Sequence, residues 1–259
     1  MSLSTTNNRL ALASAMLLFA MLWVPAGQQA FLLVHWMKLG TFAAPFILLT
    51  YFATASDRPS FANMRFMAAA LTTAYIAHQF EEHWVDLFGN HYAFYSYVND
   101  MLRAVLATQD PSIAPLTREA VFIINTSLVW LVGAMALILA EKRPFCVLAL
   151  AAITLVNGLT HIIASVATGS YNPGLLTSVV IFLPLAGLFF HHSAKTHLNV
   201  KPAIIASIAW AIIAHLLMVG GMLAANLFHL MPETAYFALL VLWSLVPVLV
   251  IGNASPVTQ

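Results

Sequence analysis

The chain has 259 residues, of which 61% are hydrophobic and only 7% charged, with a formal net charge of +1 and a mean hydropathy of +0.88. A soluble domain carries about 25% charged residues, so this composition excludes an ordinary soluble fold and marks a polytopic membrane protein. The near-neutral charge excludes a nucleic-acid footprint and a polybasic lipid-binding patch, and Cys146, the one cysteine, cannot form an internal disulfide.

In chain order, hydropathy predicts eight helical spans, at about 9–25, 29–54, 62–86, 117–140, 144–167, 174–192, 202–229 and 234–251. Each has close to the roughly 20 apolar residues that cross a bilayer. The first reads as a retained helix rather than a signal peptide, because no clear small-residue cleavage site follows it. Proline, glycine and charged residues punctuate the breaks, as in Asp57-Arg58-Pro59-Ser60, Glu141-Lys142-Arg143-Pro144 and Tyr171-Asn172-Pro173-Gly174. The tract from Asn90 to Asp110, with Tyr92, Phe94, Tyr95 and Tyr97, reads as an interfacial helix or re-entrant loop. No internal repeat of solenoid period is visible, and the expectation is a single all-α transmembrane bundle filling residues 1–259.

Lysine and arginine concentrate in cytoplasmic loops, which orients the spans. With the N-terminus inside, the cytoplasmic segments hold seven (Arg9, Arg58, Arg65, Lys142, Arg143, Lys195 and Lys201) and the opposite side two, Arg103 and Arg118. Both termini are therefore expected in the cytoplasm. On that topology His35 and Lys38, His78, Glu81 and Glu82, Asn125, Asn157 and His161, and Asn226 and His229 all fall in the outer parts of their spans. Separate helices thus direct polar groups at one layer.

The third span carries the strongest signal, the HQFEEHW run from His78 to Trp84. A charged side chain mid-membrane costs roughly 2.5–3.5 kcal/mol on insertion scales, so such a cluster is a functional site by default. At about 100° per residue His78, Glu81 and Glu82 share one face, while His83 points about 140° from His78 and, with Trp84, reads as an interface marker. Asn157 and His161 lie one turn apart on the fifth span, which runs parallel to the third. Two imidazoles, two carboxylates and an amide make a donor set that a divalent cation accepts, and equally a proton-transfer site. Tyr171 to Gly174 read as a tight turn opening the sixth helix, with the Tyr171 hydroxyl within reach of the site. His215 reads as a packed core histidine, and His191, His192 and His197 as a solvated face.

HQFEE at 78–82, NGLTH at 157–161, and YNPG at 171–174 followed by Thr177 resemble the HXXEE-motif integral membrane protein family over about residues 65–190. The resemblance implies that His78, Glu81, Glu82, Asn157, His161, Tyr171, Pro173 and Gly174 are signature positions, and it implies a bacterial inner membrane. It brings no activity with it.

Two functions follow from the residues. In the first, a membrane-embedded enzyme uses a divalent metal, zinc before iron or manganese, held by His78, His161 and Glu82. Glu81 is then the general base, Asn157 orients a substrate oxygen or a metal ligand, and Tyr171 is the third catalytic candidate. The substrate is a lipid or another apolar molecule entering from the bilayer, with hydrolysis or hydration as the simplest chemistry. In the second, the same groups act without metal as acid and base on an isoprenoid-like substrate, one carboxyl staying protonated. A proton-coupled carrier is a third reading, weakened by the lack of inverted repeats. HExxH, GxSxG, P-loop and Rossmann fingerprints are all absent from the sequence.

Overall fold

The computed structural model describes residues 29–55, 58–108, 110–196 and 200–249. The first expected span at 9–25, Arg9, His197 and both termini lie outside these residues. The described residues form an all-α bundle of α1 (Gln29–Thr54), α2 (Met64–His83), α3 (Ala93–Val105), α4 (Arg118–Leu139), α5 (Pro144–Thr168), α6 (Leu175–Thr196), α7 (Val200–Leu227) and α8 (Glu233–Leu249). Seven of them coincide with expected spans, and α3 occupies the tract expected to be interfacial or re-entrant.

Five helices, α1 and α4 to α7, are long and apolar enough to cross a membrane; α8 is apolar but shorter. The 20-residue α2 falls outside that set, because threonines, His78, Gln79, the two glutamates and His83 dilute its apolar face. Its side chains are buried almost throughout its length, so neighbouring helices rather than lipid surround those groups. This is the condition under which polar residues persist at membrane depth.

Helix α5 is the axis of the bundle, packing against α2, α4, α6, α7 and α8, while α1 lies along α2. Every residue from Phe145 to Thr154 is buried, an apolar run whose alanines allow close helix approach. Helices α1, α6 and α7 turn large apolar side chains such as Phe42, Phe46, Val180 and Ile205 outward. That outward apolar surface is what a lipid-facing wall requires.

Three local devices position the site. Asn63 caps α2, its side chain accepting the Phe66 amide at 3.0 Å, and Thr117 caps α4 through the Ala120 amide at 3.0 Å. Helix α5 begins with Pro144 and ends at Gly169, whose φ of +64° stops it. Single π-helical turns interrupt α4 at Asn125–Leu131 and α6 at Ser178–Phe182, both beside the polar cluster. Such turns shift the register of everything that follows and concentrate at functional sites.

Candidate functional site

The C-terminal ends of α2 and α5 and the N-terminal ends of α4 and α6 meet at one end of the bundle. There His78, Glu82 and His161 converge, one ligand atom from each lying within 4.8 Å of the others. His161 Nε2 is 3.0 Å and His78 Nε2 3.4 Å from the same Glu82 oxygen, Oε1. None of the three is more than 5% exposed.

Hydrogen-bond bookkeeping fixes the tautomers. The Thr177 hydroxyl donates to Glu81 Oε2 at 2.5 Å, so it accepts from His78 Nδ1 at 2.7 Å. The Asn172 amide nitrogen donates to the His161 carbonyl at 2.9 Å, which turns its oxygen toward His161 Nδ1 at 2.6 Å. Both imidazoles therefore carry their proton on Nδ1 and direct the Nε2 lone pair at a carboxylate oxygen. Three electron-rich atoms at such spacing in a buried site demand a cation between them, a proton or a metal ion. A tetrahedral ion with bonds of about 2.1 Å has ligand–ligand edges of about 3.4 Å; the two nitrogen–oxygen separations, 3.0 and 3.4 Å, approach that value, and all three atoms lie within 4.8 Å of one another. The anchoring of each Nδ1–H by a neighbouring oxygen is also the usual outer support of metal-bound histidine. Asn157 Nδ2 reaches His78 Nε2 at 3.0 Å, so an ion on that nitrogen would require the amide to turn.

Gly174 explains why the turn before α6 fits here. A Cβ at this position would lie 2.7 Å from both imidazoles and 2.9 Å from Glu82, and its φ is +95°. Only glycine satisfies both conditions. Gly158, next to Asn157, lets Phe182 approach α5, and the Phe182 ring backs His78 at 4.3 Å between centroids.

Glu81 points elsewhere. Its Oε1 accepts the Tyr171 hydroxyl at 2.9 Å and the Leu176 amide at 3.0 Å, and its Oε2 accepts the Thr177 amide at 2.8 Å and the Thr177 hydroxyl at 2.5 Å. Four donors occupy it, two of them orphan amides at the start of α6. Tyr171 in turn accepts the Leu87 amide at 3.2 Å. Burial pushes the Tyr171 phenol above its ordinary range, with the Glu81 carboxylate acting in the same direction, so it remains a hydroxyl donor.

His83 departs from the sequence reading. It is buried, its Nε2 lies 3.3 Å from the other Glu82 oxygen, and Trp36 and Phe94 pack on its ring. A fixed chain of donors leads to it. The Trp130 indole donates to Gln79 Oε1, Gln79 donates to Asn125 Oδ1, and Asn125 Nδ2 meets His83 Nε2 at 3.2 Å. Gln79, Asn172 and His83 were not assigned to the site from sequence, since amides are ordinary helix glue and His83 rotates away from His78. His83 could have been found only by knowing that α4 approaches its side of α2.

Of the other residues expected in this layer, Asn125 and Asn157 join the cluster, whereas the His35 ring packs at a tilt against Phe31 and the Lys38 ammonium lies over Trp84. Asn226 forms a separate knot with Glu233 and Thr117, and His229 is exposed. The Tyr171–Gly174 segment is the expected turn, with α6 beginning at Leu175 and Gly174 at its N-cap.

A cavity of about 300 Å³ opens beside the cluster, its surface mostly apolar. Glu82, His161, Asn157 and Asn172 form its polar wall; Val98, Met101, Met218 and Met222 are among its apolar lining. Neither Glu81 nor Tyr171 lines it.

Fold and site together define a helical bundle with membrane-spanning character and a buried histidine–glutamate centre. Residues 69–189 match the model of a family described as a protein of unknown function with HXXEE motif, so the resemblance read from the three motifs is shown. No curated protein matches the chain, and no solved structure matches it.

Proposed function

We propose that this is a membrane-embedded enzyme in which His78, Glu82 and His161 hold a divalent metal ion, with zinc favoured, beside a cavity that takes an apolar substrate from the bilayer. The observation that carries the reading is the convergence of two Nε2 lone pairs on one Glu82 oxygen at 3.0 and 3.4 Å. The ion, when bound, supplies a Lewis acid that polarises an oxygen function of the substrate. The apolar walls exclude bulk water, which strengthens the electrostatics inside. Asn157, on the cavity wall and 3.0 Å from His78, is placed to orient that oxygen.

The general base expected of Glu81 fits poorly with its four donors and with a cavity lined by Glu82 but not by Glu81. Here Glu81 and Tyr171 act as positioning groups that seat the start of α6, and through Thr177 they hold the His78 tautomer. Hydrolysis or hydration of a lipid-like molecule is the simplest reaction class for such a centre.

A separation of 3.0 Å between His161 Nε2 and Glu82 Oε1 is also a hydrogen-bond length, and a proton there would make a metal-free acid–base site. Elemental analysis of untagged, detergent-purified protein separates the two. Near-stoichiometric zinc, iron or manganese in wild type, lost in His78→Ala and in Glu82→Ala, is the expected result. Metal-free wild type with no thermal shift on adding these ions would overturn the metal and leave the acid–base reading.

A further inference from the structure

A second cavity, of about 190 Å³, shares His83 and Val121 with the first and has a more polar wall. Tyr92 before α3, Tyr95 on α3, Arg118 at the start of α4 and His83 supply its polar lining, and among the described residues no aspartate or glutamate lines it. Arg118 is exposed, and its side chain has no ion pair or hydrogen bond among the described residues. Arg103, the other arginine expected on the outer side, is by contrast tied to Asp100 and to the Ile113 carbonyl. The Tyr92 and Tyr95 hydroxyls likewise make no hydrogen bond among the described residues, and neither is closed to water. The donor chain from Trp130 fixes the fourth group. An indole only donates, so Gln79 turns its oxygen to Trp130 and its nitrogen to Asn125 Oδ1, and Asn125 turns its nitrogen to His83 Nε2. His83 therefore accepts at Nε2 and carries a proton on Nδ1, for which the described residues provide no acceptor.

We propose that this second pocket holds the oxyanion headgroup of a membrane lipid, with Arg118 as its counter-ion. The four polar side chains can all donate and none is negative, so the group that complements them is an anion. A cation meets the guanidinium, and a neutral headgroup leaves Arg118 without a countercharge. A carboxylate or a phosphate offers two or more oxygens, so the donors need not meet on one atom, and the planar guanidinium fork suits either. Depth agrees with this occupant. Arg118 opens α4, a helix long enough to cross a membrane, and the end of such a helix lies at headgroup level whichever way the bundle faces. Leu33, Val34 and Met37 of α1 give the pocket its apolar side. Because α1 belongs to the lipid-facing wall, an acyl chain can run from the pocket into the bilayer. Tyr92 holds a left-handed backbone, with φ of +56°, while its amide is bound to the Trp84 carbonyl at 3.2 Å. Side chains other than glycine rarely adopt that conformation, and it recurs at ligand clamps. The site rests neither on the metal nor on the substrate of the larger cavity.

Oleate, oleoyl lysophosphatidylglycerol and oleyl alcohol place a carboxylate, a phosphate diester and an uncharged hydroxyl on the same unsaturated chain. Their binding to the full chain in a neutral detergent is read by native mass spectrometry. Wild type should hold one anionic lipid about tenfold more tightly than oleyl alcohol. Arg118→Gln should erase that preference and leave oleyl alcohol unchanged, while Arg118→Lys, which keeps the charge without the fork, should retain part of it. Arg103→Gln removes an arginine that does not line the pocket and should leave the preference whole. Tyr95→Phe, a second variant independent of Arg118, should weaken the anionic lipids more than the alcohol. Tighter binding of oleate assigns a free carboxylate and tighter binding of the lysophospholipid a phosphate headgroup, and either sustains the pocket. Equal binding of charged and uncharged probes to wild type, or an anionic preference that survives Arg118→Gln, would overturn the proposal. So would a preference that Arg103→Gln lowers as much as Arg118→Gln does, since surface charge alone would then explain it. Metal content should be the same in wild type and Arg118→Gln, so the metal centre stands or falls separately.

Discussion

Glu81 and Glu82 are adjacent in sequence and differ in everything that surrounds them. Four protein donors ring Glu81, while the Glu82 oxygens face three imidazole nitrogens at 3.0, 3.3 and 3.4 Å. Substitution should therefore separate their roles. Glu81→Gln replaces an acceptor oxygen with an amide nitrogen facing donors, leaving buried amides unpaired at a cost of about 1–3 kcal/mol. Its thermal midpoint in detergent should fall while bound metal is retained; Glu82→Gln should lose the metal. A Glu81→Gln protein that melts like wild type but has lost its metal would make Glu81 a ligand. The sequence showed that His78, Glu81 and Glu82 share a face, and that His161 follows Asn157 by one turn. It could not divide the carboxylates, because at about 100° per residue Glu81 lies about 60° to one side of His78 and Glu82 about 40° to the other, both on its face. What divides them is the arrival of the α6 N-terminus on the Glu81 side, a tertiary fact. His83 was assigned to the interface for a related reason. A single helical wheel shows that it turns from His78, but not that Asn125 of α4 and the second Glu82 oxygen wait there.

At the scale of elements, the apolar spans were legible because hydropathy is a property of each segment alone, whereas the π-turns of α4 and α6 depend on how neighbouring helices pack. The loop after α2 is an intermediate case. Asp86 accepts the Phe88 amide at 2.9 Å and the Asn90 amide at 2.8 Å, folding the loop back so that the Tyr92 amide reaches the Trp84 carbonyl at 3.2 Å. Burial pushes the Asp86 carboxyl up, but the bonds from the Asn90 side chain and from the Asn90 and Phe88 amides outweigh it and hold the carboxyl below its ordinary range. A depressed native value stabilises the loop above the unfolded value of about 3.9, and that stabilisation is lost as pH falls through the native one. Hydrogen exchange should accordingly show the Phe88 and Asn90 amides protected in mild acid and losing protection below about pH 4. Asp86→Asn should give lower protection with no such pH dependence; a wild-type profile flat through that range would remove Asp86 as the organiser of the loop. Because Leu87 of this loop donates to Tyr171, which donates to Glu81, the loop is joined to the site by two hydrogen bonds.

At the scale of the whole molecule, the polar layer expected from topology is present in part, since α2, α4 and α5 bring His78, Glu82, Asn125 and His161 to one end. The sequence could place these residues at similar depth, but rotation about each helix axis decides which meet, and by that measure Lys38 and Asn226 turned to other partners. Sidedness rests on seven basic residues against two. Helix α5 offers the direct test, because its 25 residues extend about 37 Å, enough to cross a hydrocarbon core of about 30 Å. Asn172 makes a poor reporter for the outer end, being buried against His161. Ser170, exposed two residues earlier, and Lys142, exposed before Pro144, bracket the helix instead. In a Cys146→Ala background, Ser170→Cys should react with a membrane-impermeant maleimide on intact cells, and Lys142→Cys only after the membrane is opened. The reverse pattern would put the histidine–glutamate cluster near the cytoplasmic face, so a substrate that is also water-exposed would meet the cytoplasm and not the outer phase. Labelling of both positions on intact cells would mean that α5 does not cross the membrane, and the bundle would lose the axis on which its spanning topology depends.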